Sequence, residues 1–261
     1  MTSSAPLAIV LDGPVLRVTM TRPDRRNAFD ATLIDALTRA FATAPEHAGA
    51  RVVVLGGEGS SFSAGADLDW MRGGLELSEV ENVADTLRAA EMLATIAACP
   101  LPVVARVHAH ALGGGAGLVC AADIAIAADD LSIGFTEVRL GIIPGAISPF
   151  VVRRIGPGAA RALFLTGRSI DAAEALRIGL VHEVVAADQL DAAVGRAVGD
   201  LLAGGPEALA RTKRLLDEVA APFAPGVAAA TAERIASARV SDEAQAGIRA
   251  FLARERAPWC A

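Results

Sequence analysis

Two segments of this chain share one local design, and the repetition constrains the fold more than any other feature. Each has a short apolar run, then a turn rich in glycine and alanine, then the start of a helix. The runs cover 51–55 and 103–107, and the turns cover 62–67 and 112–117. Short apolar, β-branched runs are typical of buried strands in a parallel sheet. The sequence therefore predicts an α/β protein built on repeated strand–turn–helix units.

The same turns also predict a chemistry. A helix N-terminus leaves backbone N–H groups unpaired and carries a positive partial charge. Small residues in the turns let a ligand oxygen approach the main chain closely. Two such turns aimed at one point would form an oxyanion hole, which stabilises negative charge on a substrate oxygen.

Other uses of glycine-rich turns are excluded by the residues around them. A dinucleotide-binding turn needs glycine or alanine where Leu118 stands. A nucleophile elbow at Ser63 needs glycine in place of Ser61. The only lysine is Lys213, so no glycine–lysine–serine phosphate loop exists. Because Lys213 lies in a charged run, it is also a poor candidate for Schiff-base chemistry.

Composition excludes several classes of protein. The 261 residues are 53% hydrophobic and 21% charged, which is typical of a globular chain. The net charge of -6 argues against nucleic acid or an anionic membrane as a partner. The most apolar stretch, 101–128, is interrupted by charged residues, so no membrane helix is expected. Three dispersed cysteines and an N-terminus without a signal-peptide pattern predict a cytoplasmic protein.

Periodicity places further elements in the N-terminal half. Strands at 9–11 and 15–20, joined at Asp12-Gly13, predict a hairpin. Asp30 is predicted to cap a helix. A long helix is predicted over 79–99. Its predicted apolar face consists of Val80, Val83, Leu87, Ala90, Ala94 and Ala97.

The second half has a different pattern. Strands are predicted at 124–127 and 131–135, and the chain becomes helical after Pro149. Later helices are predicted over 190–202, 207–219, 226–238 and 242–254. These elements divide the chain into an α/β core over 1–195 and a C-terminal helical region over 196–261.

Short motifs spread over nearly the whole chain resemble the crotonase (enoyl-CoA hydratase/isomerase) superfamily. They lie at 21–28, 62–68, 111–115, 122–124, 136–145, 165–167, 173–181 and 247–252. The resemblance implies a ClpP-like spiral of ββα units with a C-terminal helical trimerisation layer, assembled as a homotrimer or a dimer of trimers. It also implies an enzyme acting on an acyl-CoA thioester without a cofactor, because coenzyme A is part of the substrate. Segments 119–127 and 142–152 look closest to bacterial methylglutaconyl-CoA-type and isohexenylglutaconyl-CoA-type hydratases.

The resemblance implies roles for individual residues. The amides of Ala66 and Gly114 would hold the thioester oxygen, and the amide of Gly145 would help to hold the attacking water. Phe251 and Arg254 match positions where a neighbouring subunit touches coenzyme A. The implied coenzyme A and acyl site is lined by Arg26, Ala28, Ala64, Asp67, Leu68, Trp70 and Met71.

The catalytic carboxylates depart from the pattern of the hydratases. Glu137 matches one family glutamate, whereas Gly117 stands where the other would be. Hydration of a 2-enoyl-CoA, isomerisation of an enoyl-CoA by one glutamate, and acyl-CoA binding without catalysis all remain open. On this basis Gly117→Glu is expected to raise hydration more than isomerisation.

For the remaining polar residues, sequence position favours a structural role over a catalytic one. Asp67 is predicted to cap a helix and Asp123 to stabilise a strand. His108 and His110 flank the second turn, and a loop histidine of this kind more often makes a local hydrogen bond. The histidines and cysteines have no metal-ligand spacing, so no metal site is expected.

Overall fold

Six strands form a mixed sheet at the centre of the molecule, and three more form a second sheet. The computed structural model describes residues 5–219, 242–253 and 255–260. The strands are β1 (Leu7–Asp12), β2 (Val15–Met20), β3 (Val52–Gly57), β4 (Val103–Val107), β5 (His110–Leu112), β6 (Ile124–Ala128), β7 (Ser132–Gly134), β8 (Ser169–Asp171) and β9 (Glu183–Val185). The large sheet has the order β1-β2-β3-β4-β6-β9, and the small sheet has the order β5-β7-β8. In the large sheet, β1 pairs antiparallel with β2 and every other pair is parallel.

Helices pack around these sheets. The described residues form α1 (Ala31–Thr43), α2 (Leu68–Gly74), α3 (Glu79–Ala98), α4 (Gly114–Ala121), α5 (Ser148–Thr166), α6 (Ala172–Arg177), α7 (Leu190–Ala203), α8 (Pro206–Val219) and α9 (Asp242–Ala253). None of these helices is both long enough and apolar enough to cross a membrane.

Alternation along β3 shows how the large sheet is buried on both faces. Val53 and Leu55 belong to the main core, whereas Val52 and Val54 belong to a second cluster that includes buried side chains of α7. Burial of one such side chain contributes about 1.5–3 kcal/mol, which explains why the strand is a continuous apolar run. The predicted domain boundary at 195 falls inside α7, a helix that packs on this sheet.

The N-terminal elements follow the sequence predictions closely. The predicted hairpin forms, and Gly13 in its turn has a φ of 56°. Asp30 caps α1 by accepting a hydrogen bond from the amide of Leu33 at 2.8 Å. The start of α3 has a feature that the sequence analysis missed. Ser78 and Glu81 form a reciprocal capping box there.

The predicted apolar face of α3 is wrong for its N-terminal half. Val80, Val83 and Leu87 are 79%, 62% and 52% exposed. The buried side chains lie nearer the C-terminal end, at Met92 and Ile96 with the intervening Leu93. The predicted face is also wrong in the later turns, because it contains none of these three buried residues and includes Ala94, which is exposed.

Three short strands escaped sequence analysis because three residues are too few to show a period. They are β5, β8 and β9, and the strand predicted over 131–135 is only Ser132–Gly134. In the C-terminal half, α5 begins one residue before Pro149 and is kinked at Gly156, where φ is 71°. The helix predicted over 226–238 lies outside the described residues.

Candidate active site

The two glycine-rich turns lie against each other. The amide of Ser63 donates to the carbonyl of His110, and the amide of Leu112 donates to the carbonyl of Ser63, both at 3.0 Å. At Gly65, where φ is 85°, an added Cβ would lie 2.5 Å from the carbonyl oxygen of Leu112. At Gly115 an added Cβ would lie 2.5 Å from the carbonyl oxygen of Ser63. Glycine is therefore required at both positions for the turns to meet.

A backbone bridge shapes the first turn around Ala66. The amide of Phe29 donates to the carbonyl of Gly65 at 2.6 Å, and the amide of Asp67 donates to the carbonyl of Phe29 at 2.8 Å. These two hydrogen bonds involve Gly65 and Asp67, on either side of Ala66, and do not involve the N–H of Ala66 itself. Among the described residues, the amide of Ala66 donates no hydrogen bond.

The second turn leads directly into α4. Gly113 precedes the helix with a φ of 50°, which favours glycine. The amide of Gly117 donates to the carbonyl of Gly113 at 3.0 Å. Gly114 is the first residue of α4, so its N–H has no partner inside the helix. Within the described part of the chain, this amide too donates to no acceptor.

Glu137 lies beside the second turn. It begins a 3-10 turn, Glu137–Leu140, that follows β7 of the small sheet. Its Oε1 is 3.2 Å from the point that a Cβ on Gly113 would occupy. Its Oε2 is buried and has no hydrogen-bond partner among the described residues. Burial raises the pKa of this carboxyl group, so a half-buried acid with a free oxygen faces the glycine turn.

The space beside Gly117 is already filled. A Cβ added there would lie 2.5 Å from Cγ2 and 3.2 Å from Cβ of Ile147, and 3.5 Å from Cδ1 of Leu93. Ile147 is only 4% exposed. The absence of a carboxylate at 117 is therefore built into the packing. Sequence analysis missed this contact because the two residues are 30 positions apart.

The backbone amide of Gly145, which was predicted to help hold the attacking water, already has a hydrogen-bond acceptor in the structure. Its amide donates to the carbonyl of Ile143 at 2.8 Å in a tight turn. A donor engaged in this way is not free to hold water. The predicted role of Gly145 would require this turn to open.

The residues predicted to line the coenzyme A site are partly brought together. Arg26 is exposed and left-handed, with a φ of 51°, and its carbonyl accepts from the amide of Ala64 at 2.9 Å. Ala28 is buried, and its carbonyl accepts from Nη1 of Arg22 at 2.6 Å. Leu68 is 74% exposed at the start of α2. Arg22 is a supporting residue that the sequence analysis missed.

Asp67 has the capping role that its position predicted. Its carboxylate accepts from the amide of Asp69 at 2.9 Å at the N-terminus of α2, and it pairs with Arg22 at 3.3 Å. Because this side chain is 4% exposed, the ion pair anchors the turn that contains Ala66. Trp70 and Met71 are half-buried on α2, and Trp70 packs against the main core.

No contact with Glu137 is found for the other predicted residues that the structure describes. Nε2 of His108 is 3.0 Å from the carbonyl of Gly59, and burial lowers the pKa of His108. His110 is exposed. Phe251 belongs to α9, and Arg254 lies outside the described residues. No three histidine, cysteine, aspartate or glutamate side chains in the described ranges are close enough to hold a metal ion.

Comparison with known proteins identifies the family of this chain. A model of the enoyl-CoA hydratase/isomerase family matches residues 12–261. The chain belongs to this family. A Thermus thermophilus protein assigned as an enoyl-CoA hydratase is 32% identical over 245 residues, which cover 92% of this chain and 95% of that protein. The cyclohexa-1,5-dienecarbonyl-CoA hydratase of Thauera aromatica is 30% identical over an alignment of 270 positions, which covers 98% of each chain.

A solved structure shows the same fold. The crystal structure of an enoyl-CoA hydratase/isomerase (crotonase) from Legionella pneumophila matches with a TM-score of 0.92 and 38% identity, covering 98% of this chain and all of that one. The predicted family and the predicted crotonase fold class are therefore confirmed. The methylglutaconyl-CoA subgroup and the trimeric assembly stay predictions.

Proposed function

We propose that this chain is an enoyl-CoA hydratase, which adds water across the C2–C3 double bond of a 2-enoyl-CoA thioester. The observation that carries the proposal is the buried, unpartnered carboxylate oxygen of Glu137 beside a turn with a free helix-terminal amide. Family membership over nearly the whole chain supports it, as do relatives named as hydratases. The same relatives support the prediction of an enzyme whose substrate is an acyl-CoA thioester.

In this proposal the amides of Ala66 and Gly114 donate to the thioester oxygen. Addition of water at C3 moves negative charge from C2 onto that oxygen, so the two donors bind it more tightly in the transition state than in the ground state. One donor of this kind is worth roughly 2.7–4 kcal/mol. The contact between the two turns holds both donors in place before substrate binds.

Glu137 then moves the proton. Its carboxylate takes a proton from water as the hydroxyl oxygen bonds to C3, and the resulting acid returns a proton to C2. The sum is the addition of one water, and Glu137 ends in its starting state. A raised pKa suits this work because general acid–base catalysis is most efficient when the group titrates near the working pH.

The remainder of the predicted site belongs to the same proposal. Arg26, Ala28, Ala64 and Leu68 would bind coenzyme A, and Trp70 and Met71 would border the acyl group. Phe251 and Arg254 would reach coenzyme A from a neighbouring subunit of a homotrimer or a dimer of trimers. No separate cofactor enters the reaction, and the cytoplasm is the proposed compartment.

One observation favours a second candidate, enoyl-CoA isomerisation. Gly117 offers no second carboxylate, and Ile147 fills the space beside it. Converting a 3-enoyl-CoA to a 2-enoyl-CoA needs only one group that accepts a proton from C2 and returns it at C4. The same oxyanion donors would serve this reaction.

A panel of substrates separates these candidates. The purified protein is incubated with 2-enoyl-CoA, 3-enoyl-CoA and 3-methylglutaconyl-CoA, and the products are identified by mass spectrometry. We expect a 3-hydroxyacyl-CoA product, heavier than its substrate by one water. Conversion of 3-enoyl-CoA to 2-enoyl-CoA without any hydration would favour the isomerase. Binding without turnover of any substrate would indicate a non-catalytic acyl-CoA binder.

A further inference from the structure

The C-terminal end of α4 is held by one guanidinium group from α5. Nη2 of Arg154 donates to the carbonyl oxygens of Val119 and Cys120 at 3.4 and 3.3 Å. The same nitrogen donates to the carbonyl of Ala122, and Nη1 donates to that of Asp123 at 3.3 Å. Carbonyls in the last turn of a helix have no partner within it. Arg154 therefore supplies donors that this helix end lacks.

The setting of Arg154 is unusual for a cation. The side chain is half-buried, and burial lowers its pKa. Among the described residues it forms no ion pair with a carboxylate. Its donors instead meet carbonyl oxygens and Nε2 of His182, which is 2.9 Å from Nη1. Of these carbonyls, those of Val119 and Cys120 lie in the last turn of α4 and carry the negative end of the helix dipole. Burying a charged group costs free energy. A guanidinium at this position therefore needs an explanation other than solvation at the surface.

The other end of α4 carries the amide that faces the substrate. The helix has eight residues from Gly114, which makes it about 12 Å long. Every residue after Gly114 is buried, so the helix is enclosed along its length. Ile147, which packs against Gly117, precedes α5, the same helix that carries Arg154. One element thus contacts α4 both near its middle and at its far end.

We propose that Arg154 is a positioning residue for the reaction: by holding the C-terminal end of α4, it fixes the Gly114 amide where it meets the thioester oxygen. Its positive charge also offsets the negative end of the helix dipole. The positive N-terminal end therefore attracts the substrate oxygen with less repulsion from the other end. This inference rests on the proposed function, since it assigns a role to the amide used there.

The test compares two neighbours on α5. Arg154→Ala removes the contacts with α4. Arg153→Ala is the matched control, because Arg153 is 55% exposed and pairs with Asp217 at 2.6 Å on the surface. We expect kcat to fall by about 10- to 100-fold in Arg154→Ala, the size of effect that a misplacement of about 1 Å produces. The KM should change by less than about threefold, since the residues proposed to bind coenzyme A belong to other elements, and Arg153→Ala should match the parent.

Two further readouts separate positioning from a general loss of structure. The infrared carbonyl band of a bound ¹³C-labelled acyl-CoA should lie closer to its free position in Arg154→Ala, because the oxygen is less polarised. Methylguanidinium should restore part of the lost kcat. It can enter through a cavity of ≈ 320 Å³ lined by Arg154, Phe150 and His182. A general structural defect would not move the carbonyl band in this way, and added methylguanidinium would not restore the lost kcat.

The outcomes are distinct. A folded Arg154→Ala variant with the parent's kcat and carbonyl band would overturn the inference. If Arg154→Ala fails to fold, Arg154→Lys is measured instead. A lysine keeps the charge with fewer donors, and we expect kcat to fall about 3- to 10-fold. An unchanged kcat in that variant would overturn the inference equally. If the parent hydrates no enoyl-CoA, the proposed function fails first, and the carbonyl band alone decides the role of Arg154.

Discussion

Glu137 is a carboxylate in an unfavourable place, with one oxygen buried and unpartnered. Most buried polar atoms have a partner, so such an exception calls for an explanation. A substrate or water that completes the hydrogen bonding would supply one. The raised pKa points the same way, because burial that penalises the charged form also makes the group a stronger base.

This setting predicts the pH dependence of activity. Glu137 must be ionised to accept a proton, so kcat/KM should fall as the pH drops through its raised pKa. A rate profile over the acidic range should show a one-proton limb above the ordinary glutamate range. The sign for stability is opposite. A carboxyl whose pKa is raised by folding stabilises the protein at low pH, and that contribution is lost as the pH rises through the folded pKa. A limb at the ordinary glutamate pKa would contradict the assignment.

A second residue-scale prediction concerns Gly117 and Ile147. Because a Cβ at 117 would lie 2.5 Å from Ile147, Gly117→Glu alone should lower stability and activity, contrary to the expectation from sequence alone. Gly117→Glu combined with Ile147→Ala should recover hydration relative to the single variant. The control is Gly117→Gln with Ile147→Ala, which has the same size without the charge. Equal hydration rates in the two double variants would show that no second carboxylate is at work.

Helix α4 is the element that links the site to the core. In the proposed site its first amide faces the substrate, and the carbonyls of its last turn accept hydrogen bonds from Arg154. An added Cβ at Gly114 would lie 2.7 Å from Cε2 of Phe29. Phe29 is the residue whose backbone pairs with the first turn, so crowding at Gly114 would disturb both turns at once.

The contribution of the Gly114 amide can be measured on this element. Gly114→Ala adds a Cβ and keeps the N–H, whereas Gly114→Pro adds a ring and removes the donor. Proline is well tolerated at the first position of a helix. Turnover should therefore be lower in Gly114→Pro than in Gly114→Ala by about 10²- to 10³-fold. Gly199→Ala is the control, because a Cβ there meets nothing within 4 Å. Equal kcat values for the two Gly114 variants would remove this amide from the oxyanion hole.

Elements were predictable from sequence where local pattern alone decides them. The apolar runs of β3 and β4 and the cap at Asp30 depend on neighbouring residues, and all three appear as predicted. The exposed start of α3 was not predictable, since spacing shows which side chains are apolar but not which reach a core. The contacts of Ile147 and Arg154 with α4 join distant parts of the sequence and leave no periodic signal.

At the scale of the whole molecule, several large apolar side chains remain at the surface. Leu75, Val80 and Ile143 are each at least 79% exposed, and Leu140 is 61% exposed. Exposed apolar surface can be covered by contact with another protein chain. It agrees with the predicted homotrimer or dimer of trimers without identifying the contact.

Light scattering at micromolar concentration tests that assembly. We expect a mass of three or six chains of 26.6 kDa each. Replacement of Val80 and Ile143 by serine should not unfold the chain, because both are exposed, and it should weaken the assembly if these faces meet. A stable monomer of the parent at that concentration would remove the prediction.

The proposed reaction depends most on Glu137, and one comparison tests this dependence directly. Turnover of a 2-enoyl-CoA is measured for the parent and for Glu137→Gln, together with acyl-CoA affinity by titration calorimetry. We expect kcat to fall by roughly 10²- to 10⁴-fold while affinity stays close to that of the parent, because only the proton transfer is lost. If Glu137→Gln keeps most of its turnover on every enoyl-CoA that the parent accepts, another group moves the proton and the account is wrong.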